Sequence, residues 1–152
     1  MGQMTSDAVT GCFLVPQAAP MQQQIEQFEA DVLARLPPAE MPLEHLFSEG
    51  IYARKILIPA GVMATGRVHK YRALNVLLSG EISDMTPHGI VRHIGPKVWV
   101  GEPGVKRLLY AHTDTIWMTV HATDETDPEE VKDMLTAATY AEFLASETRR
   151  LA

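Results

Sequence analysis

Between Gly61 and Gly80 the chain reads GVMATGRVHKYRALNVLLSG, which sets Arg67 and His69 two residues apart, and Ala73 and Asn75 likewise. Alternate residues of a strand share a face, so Asn75 faces the same way as Ala73. A guanidinium stays protonated and has no lone pair for a metal, but it clasps a carboxylate or phosphate through two parallel hydrogen bonds. Arg67, and Arg107 further along, therefore suit an anion. One imidazole does not hold a divalent cation alone, since such sites need three or four ligands. Asn75 can orient a ligand amide or hydroxyl. Near the end of the apolar region, Trp117, Thr119 and His121 alternate with Ile116, Met118 and Val120. If the first set looks inward, Trp117 offers a stacking surface beside His121; alternation alone leaves the choice of face open.

Competing readings attach to the same residues. Arg67 and Arg107 can pair with carboxylates such as Glu102 or Glu81, because a buried arginine needs a partner. His69, His112 and His121 can form a zinc or nickel cluster only if the fold joins them. His88 sits in a turn, and His93 has no partner evident in the sequence. No phosphate-cradling glycine loop, nucleophile elbow or cysteine-based site is present.

The elements that must carry these side chains are mostly short strands. Residues 1–20 read as an arm. Ile25, Phe28, Val32 and Leu36 fall at helical spacing over 21–36, which Pro37-Pro38 ends. Residues 39–50 read as a connector. Strands follow at 51–58, 67–70, 74–78, 81–85, 90–94, 97–100, 105–111 and 115–122, each bounded by glycine, proline or another turn former. Asp127, Pro128 and Glu130 open a last helix with a buried stripe of Val131, Met134, Leu135, Ala138 and Ala141. This divides the chain into 1–20, 21–50, a barrel at 51–125 and a helix at 126–152.

With 152 residues, 46% of them hydrophobic, one domain with one core is expected. The formal charge of −6 argues against broad nucleic-acid or anionic-membrane binding. Cys12 is the only cysteine, which excludes an internal disulfide and fits a reducing compartment. No segment reads as a signal peptide or transmembrane helix. A cytoplasmic protein is the expectation.

The spacing Gly61, Arg67, His69, Ala73, Gly80 resembles the first motif of cupin barrels, and Glu102-Pro103-Gly104 followed by Arg107 resembles the second. The resemblance implies an all-β, cupin-like double-stranded β-helix (jelly-roll) barrel with a helix at each end. It places Arg67, His69, Ala73 and Arg107 at the four positions where cupins hold a metal, so one ligand of four remains. A second framing puts His69, Tyr71 and Asn75 at the first motif's ligand positions. The segments LNVLLSGEI and EPGVKRLLYAHTDTIWMTVHATDETD also resemble small cupin-like proteins of tailed bacteriophages and prophages, mostly of unassigned activity. That implies a protein of the host cytoplasm, or one carried in the virion.

Together these readings give Arg67, His69, Asn75, Arg107, Trp117 and His121 as ligand-binding residues for a small anion: a nucleotide, sugar phosphate or carboxylate. No metal, cofactor, nucleic acid or membrane is expected, and no chemistry follows binding. A homodimer is expected, through the N-terminal arm and an edge strand at Ile51–Ile58. The alternatives are a metal-free nucleotide-sugar epimerase or isomerase, with His69 as base and Tyr71 or Tyr110 as acid, and a phage structural or accessory protein.

Overall fold

The computed structural model describes residues 19–152. The expected arm falls almost wholly outside them. Helix α1 spans Met21–Asp31, and one tight helical turn follows at Leu33–Arg35. Eleven strands come next: β1 (Leu43–Ser48), β2 (Ile51–Ile58), β3 (Met63–Thr65), β4 (Val68–His69), β5 (Ala73–Ser79), β6 (Glu81–Thr86), β7 (Gly89–Ile94), β8 (Lys97–Gly101), β9 (Leu108–Ala111), β10 (Thr115–Ala122) and, after helix α2 (Pro128–Leu135), β11 (Thr136–Ala137). Helix α3 (Tyr140–Leu151) ends the chain.

All pairings are antiparallel. One sheet runs β1-β2-β10-β5-β8 and the other β3-β9-β6-β7, with β4 and β11 paired apart. The inner faces of the two sheets share one core, which makes an all-β jelly-roll barrel. Strand β10 shows why the chain folds this way. Thr115, Trp117, Thr119 and His121 are buried, and the intervening residues are less so. Strand β5 repeats the pattern with Ala73, Asn75 and Leu77 inside. The set containing Trp117 and His121 thus faces in. At Gly80 the backbone has φ +95, and a Cβ there would run into Asp114 and Thr115, so only glycine makes this turn.

The main core joins Ile58, Leu77, Ile82, Ala111 and Trp117 with Met41, Ile56 and Trp99 packed against them. A second cluster forms where Val131 and Leu135 of α2 meet Tyr52 of β2. Asp127 caps α2 by accepting from the Glu129 and Glu130 N–H groups at 2.9 and 3.1 Å.

The structure differs from the sequence reading most before Ile51 and after Leu135. Residues 43–48, read as connector, form β1. That makes β1 the edge of its sheet and moves Ile51–Ile58 to the interior, between β1 and β10. The single C-terminal helix is two. The chain is extended at Thr136–Ala137 to pair with β4, and this shifts the phase of everything after it. Ala137 and Phe143 are therefore buried with Val68, whereas Met134, Ala138 and Ala141 are exposed.

Candidate functional site

A cavity of about 490 Å³ lies between the two apolar clusters, walled by the five-stranded sheet and roofed by α2. Arg67, His69, Asn75, Arg107, Trp117 and His121 all border it. Strand register orders the wall. One transverse row runs His45, Arg54, Thr119, Asn75, Trp99 across β1, β2, β10, β5 and β8. A parallel row sets Phe47 and Tyr52 beside His121.

Each side chain has a specific setting. The Trp117 indole N–H donates to the Asn75 Oδ1 at 3.2 Å. Asn75 sits over Gly101, where a Cβ would collide with its amide nitrogen. Both residues are fixed within the wall. Arg107 forms a close ion pair with Asp84 of β6. Its guanidinium lies 5.4 Å from the Trp117 ring centre and 5.9 Å from that of Trp99. Burial pushes the Asp84 carboxyl above its ordinary value, against the pull of Arg107. His93 stacks on Trp99 with ring centres 4.7 Å apart, and its Nδ1 lies 2.8 Å from the Lys97 ammonium. An ammonium has only donors, so Nδ1 accepts and Nε2 carries the proton, facing Asp84 at 3.8 Å. Burial first, then the charges of Lys97 and Arg107, lowers the His93 pKa.

Arg67 is bound differently. Its Nε donates to the Thr136 Oγ1 at 2.7 Å, and a terminal nitrogen lies 3.5 Å from Asp133. It therefore ties the end of α2 to the barrel. The acids expected to pair with these arginines are engaged elsewhere: Glu102 with Arg72 and Glu81 with Arg92.

His69 and His121 stack with ring centres 5.5 Å apart and planes within 13°. Burial, the His121 ring and the Arg107 and Arg54 charges pull His69 down to about 4; burial and Arg54 do the same to His121. Both rings are neutral near pH 7. The buried Nδ1 of His121 has no hydrogen-bond partner among the described residues. Tyr52 stacks beyond His121 at 6.3 Å and shares a 2.7 Å hydrogen bond with His45 Nδ1. Burial raises the Tyr52 pKa, with the Arg54 charge opposing.

Arg54 is the residue that sequence reasoning missed. It is exposed, but the space it borders is the cavity. Among the described residues no carboxylate pairs with it, whereas the other cations at the cavity, Arg67, Arg107, Lys106 and Lys132, all have one. Burial lowers its pKa, with Tyr52 opposing, yet a guanidinium stays protonated. The alternation of Tyr52, Arg54, Ile56 and Ile58 on one face of β2 was the available signal.

Three expectations are corrected. Tyr71 is exposed under Arg150, and Tyr110 stands against His112 outside the cavity, so neither is an acid for His69. His112 bonds to Ser83 at 2.7 Å and is not part of a cluster with His69 and His121. Among the described residues no group of three or more His, Cys, Asp or Glu side chains is placed to hold a metal ion.

No protein-family model matches the chain, and no curated protein matches it either. Among solved structures, a cupin domain of Bordetella pertussis is 15% identical with a TM-score of 0.46, over 58% of this chain and 98% of that one. The Cnp3 cupin domain of Schizosaccharomyces pombe is 18% identical with a TM-score of 0.47, over 67% and 77%. A conserved Streptococcus pyogenes protein of unknown function is 17% identical with a TM-score of 0.46, over 57% and 77%. At these TM-scores the likenesses decide nothing about the chemistry of the cavity. No helix among the described residues is long and apolar enough to cross a membrane.

Proposed function

We propose that the barrel is a receptor for a small anion with an apolar body, and that Arg54 makes the principal contact. The carrying observation is a guanidinium that borders the cavity with no carboxylate partner among the described residues, where the other cations there each have one. A guanidinium not already engaged by a carboxylate is free to clasp an anionic ligand through two parallel hydrogen bonds. His69 and His121 add neutral imidazoles, each with one donor and one acceptor; the unpartnered Nδ1 of His121 suits a polar group of the ligand. Ile56, Leu109 and Trp117 offer an apolar wall for the remainder. The volume of about 490 Å³ lies within the usual range for metabolite sites. Arg67 stands at the rim, and Arg107 serves as a structural cation.

Binding without chemistry is favoured over catalysis. A histidine held near 4 is a poor proton acceptor at neutral pH, where a general base works best with a pKa close to 7. A merely structural scaffold does not account for a cavity that side chains leave unfilled. The resemblance of the segments LNVLLSGEI and EPGVKRLLYAHTDTIWMTVHATDETD supports a tailed-phage or prophage setting.

The test is native mass spectrometry of protein purified gently from cells, then calorimetry with monocarboxylates, phosphate monoesters and nucleotides. At least one anion should bind, and Arg54→Gln should weaken it roughly 10- to 100-fold, the worth of a charge-assisted hydrogen bond. Absence of any ligand, or binding indifferent to Arg54→Gln, defeats the proposal.

A further inference from the structure

On the outer face of the five-stranded sheet one row is apolar from edge to edge. Residues at the same level along the strands are Leu46, Ala53, Val120, Leu74 and Val100, from β1 through β2, β10 and β5 to β8. The adjacent row holds Lys55, Met118, Val76 and Val98, with Glu44 at its end. The acid in these rows, Glu44, is paired to Lys55. Val98 and Val100 are 61% and 54% exposed, and Ile51, Leu74, Leu78 and Leu46 are each more than two-fifths exposed. Ile51, Leu74, Val100 and Val120 border a shallow depression on this face. The outer face of the four-stranded sheet is different. Its apolar Ile90 and Ile94 are interrupted by the Arg92–Glu81 ion pair and the Ser83–His112 hydrogen bond.

We infer that a second copy of this chain covers the five-stranded face, sheet against sheet. Area is the first argument. The six most exposed apolar residues alone leave on the order of 500 Å², already at the upper end for a monomer's largest patch. Ile116, Met118 and Val120, half-buried between them, extend the patch toward the roughly 800 Å² per partner of a standard interface. Charge is the second. Two copies each carrying −6 repel unless they meet where acids are absent or paired, and these rows meet that condition. Shape is the third. A two-fold contact is self-complementary, and a gently twisted apolar sheet packs on its own copy as the two sheets of a sandwich do. The expected edge-strand dimer does not form through Ile51–Ile58, which lies inside the sheet.

Sedimentation of the full chain at micromolar concentration should give about twice the 16.8 kDa monomer mass. Val98→Asp combined with Val100→Asp should weaken the dimer at least tenfold with unchanged circular dichroism. Ile90→Asp with Ile94→Asp on the other sheet should leave it intact. Radical footprinting of the unmodified chain reads the same surface should the first variant not fold: Leu74 and Met118 should be protected at high concentration relative to Ile90 and Ile94. A monomer at all concentrations, whether its face is bare or covered by residues 1–18, overturns the inference. So does a dimer that survives the Val98 and Val100 changes, or one whose Leu74 and Met118 stay reactive.

Discussion

Arg107 and Arg54 both border the barrel cavity, and the difference between them lies in their neighbours. Arg107 has Asp84 against it and two indoles around it, and His93 and Lys97 extend the contact. Arg54 has Tyr52, His45, Thr119 and two neutral imidazoles nearby, and no acid among the described residues. One end of the barrel answers its own charge; the other leaves a charge for something else to answer. The sharpest way to break this contrast is to remove the acid. Asp84→Ala leaves a guanidinium buried between tryptophans, and breaking such a pair costs about 3–5 kcal/mol. Urea unfolding should show this loss. A change under 1 kcal/mol would mean that Arg107 finds water or another partner, and the contrast would vanish.

Acid sharpens the comparison next. The folded pKa of His69 and of His121 is about 4, below the ordinary 6.5. Between those values the unfolded chain binds more protons than the folded one, so stability rises with pH. Their contribution is complete above about 6.5 and is lost as pH falls toward 4, at up to about 1.4 kcal/mol per pH unit for each ring. Asp84 has the opposite sign. Its folded pKa is raised, so it favours folding as pH falls through the window just above its ordinary value. Unfolding curves at pH 7, 6 and 5 should therefore steepen the loss for the unmodified chain and flatten it for His69→Gln combined with His121→Gln. His93 also titrates low and keeps a residual slope. An unchanged slope in the double variant would show that the two rings are hydrated rather than buried.

Arg67 stands between the two extremes, since its bonds go to α2 rather than to the interior. Arg67→Ala should cost about 1 kcal/mol, the usual net worth of one hydrogen bond. It should also speed hydrogen exchange in residues 128–135 more than elsewhere. Uniform acceleration would mean that α2 is not separately tethered.

The same contrast explains what the sequence could and could not reveal. That Trp117, Thr119 and His121 share one face, and the parity of Asn75, were legible because β10 and β5 alternate strictly; which face looks inward depended on the rest of the barrel. The start of α2 was legible because Asp127 and Pro128 are local signals. The partner of Arg107 was not, since Asp84 lies on another strand. The burial of Ile82 two residues earlier, however, places an acid inside the barrel. Strand β1 was hidden for a different reason. Its LEHLFS is exposed on both faces at the sheet edge, so no alternation marks it. Without β1, Ile51–Ile58 looks like an edge, and nothing in the reading of that strand singles out Arg54. The fold of a barrel is written in local periodicity, but charge pairing inside it depends on which strands meet.

Arg54→Gln is the smallest expected effect on stability and the most discriminating. A residue kept for structure loses stability when its charge is removed, as Asp84→Ala should show. An exposed guanidinium with no carboxylate partner among the described residues loses nothing, so the ligand-free variant should match the unmodified chain to within about 0.5 kcal/mol. Ligand-free protein must be compared with ligand-free protein, because a bound anion stabilises only the form that binds it. Adding a binding anion should then raise the melting temperature of the unmodified chain and not that of the variant. If Arg54→Gln instead destabilises the ligand-free barrel by 2 kcal/mol or more, Arg54 has a structural partner of its own, and the two ends of the barrel are alike.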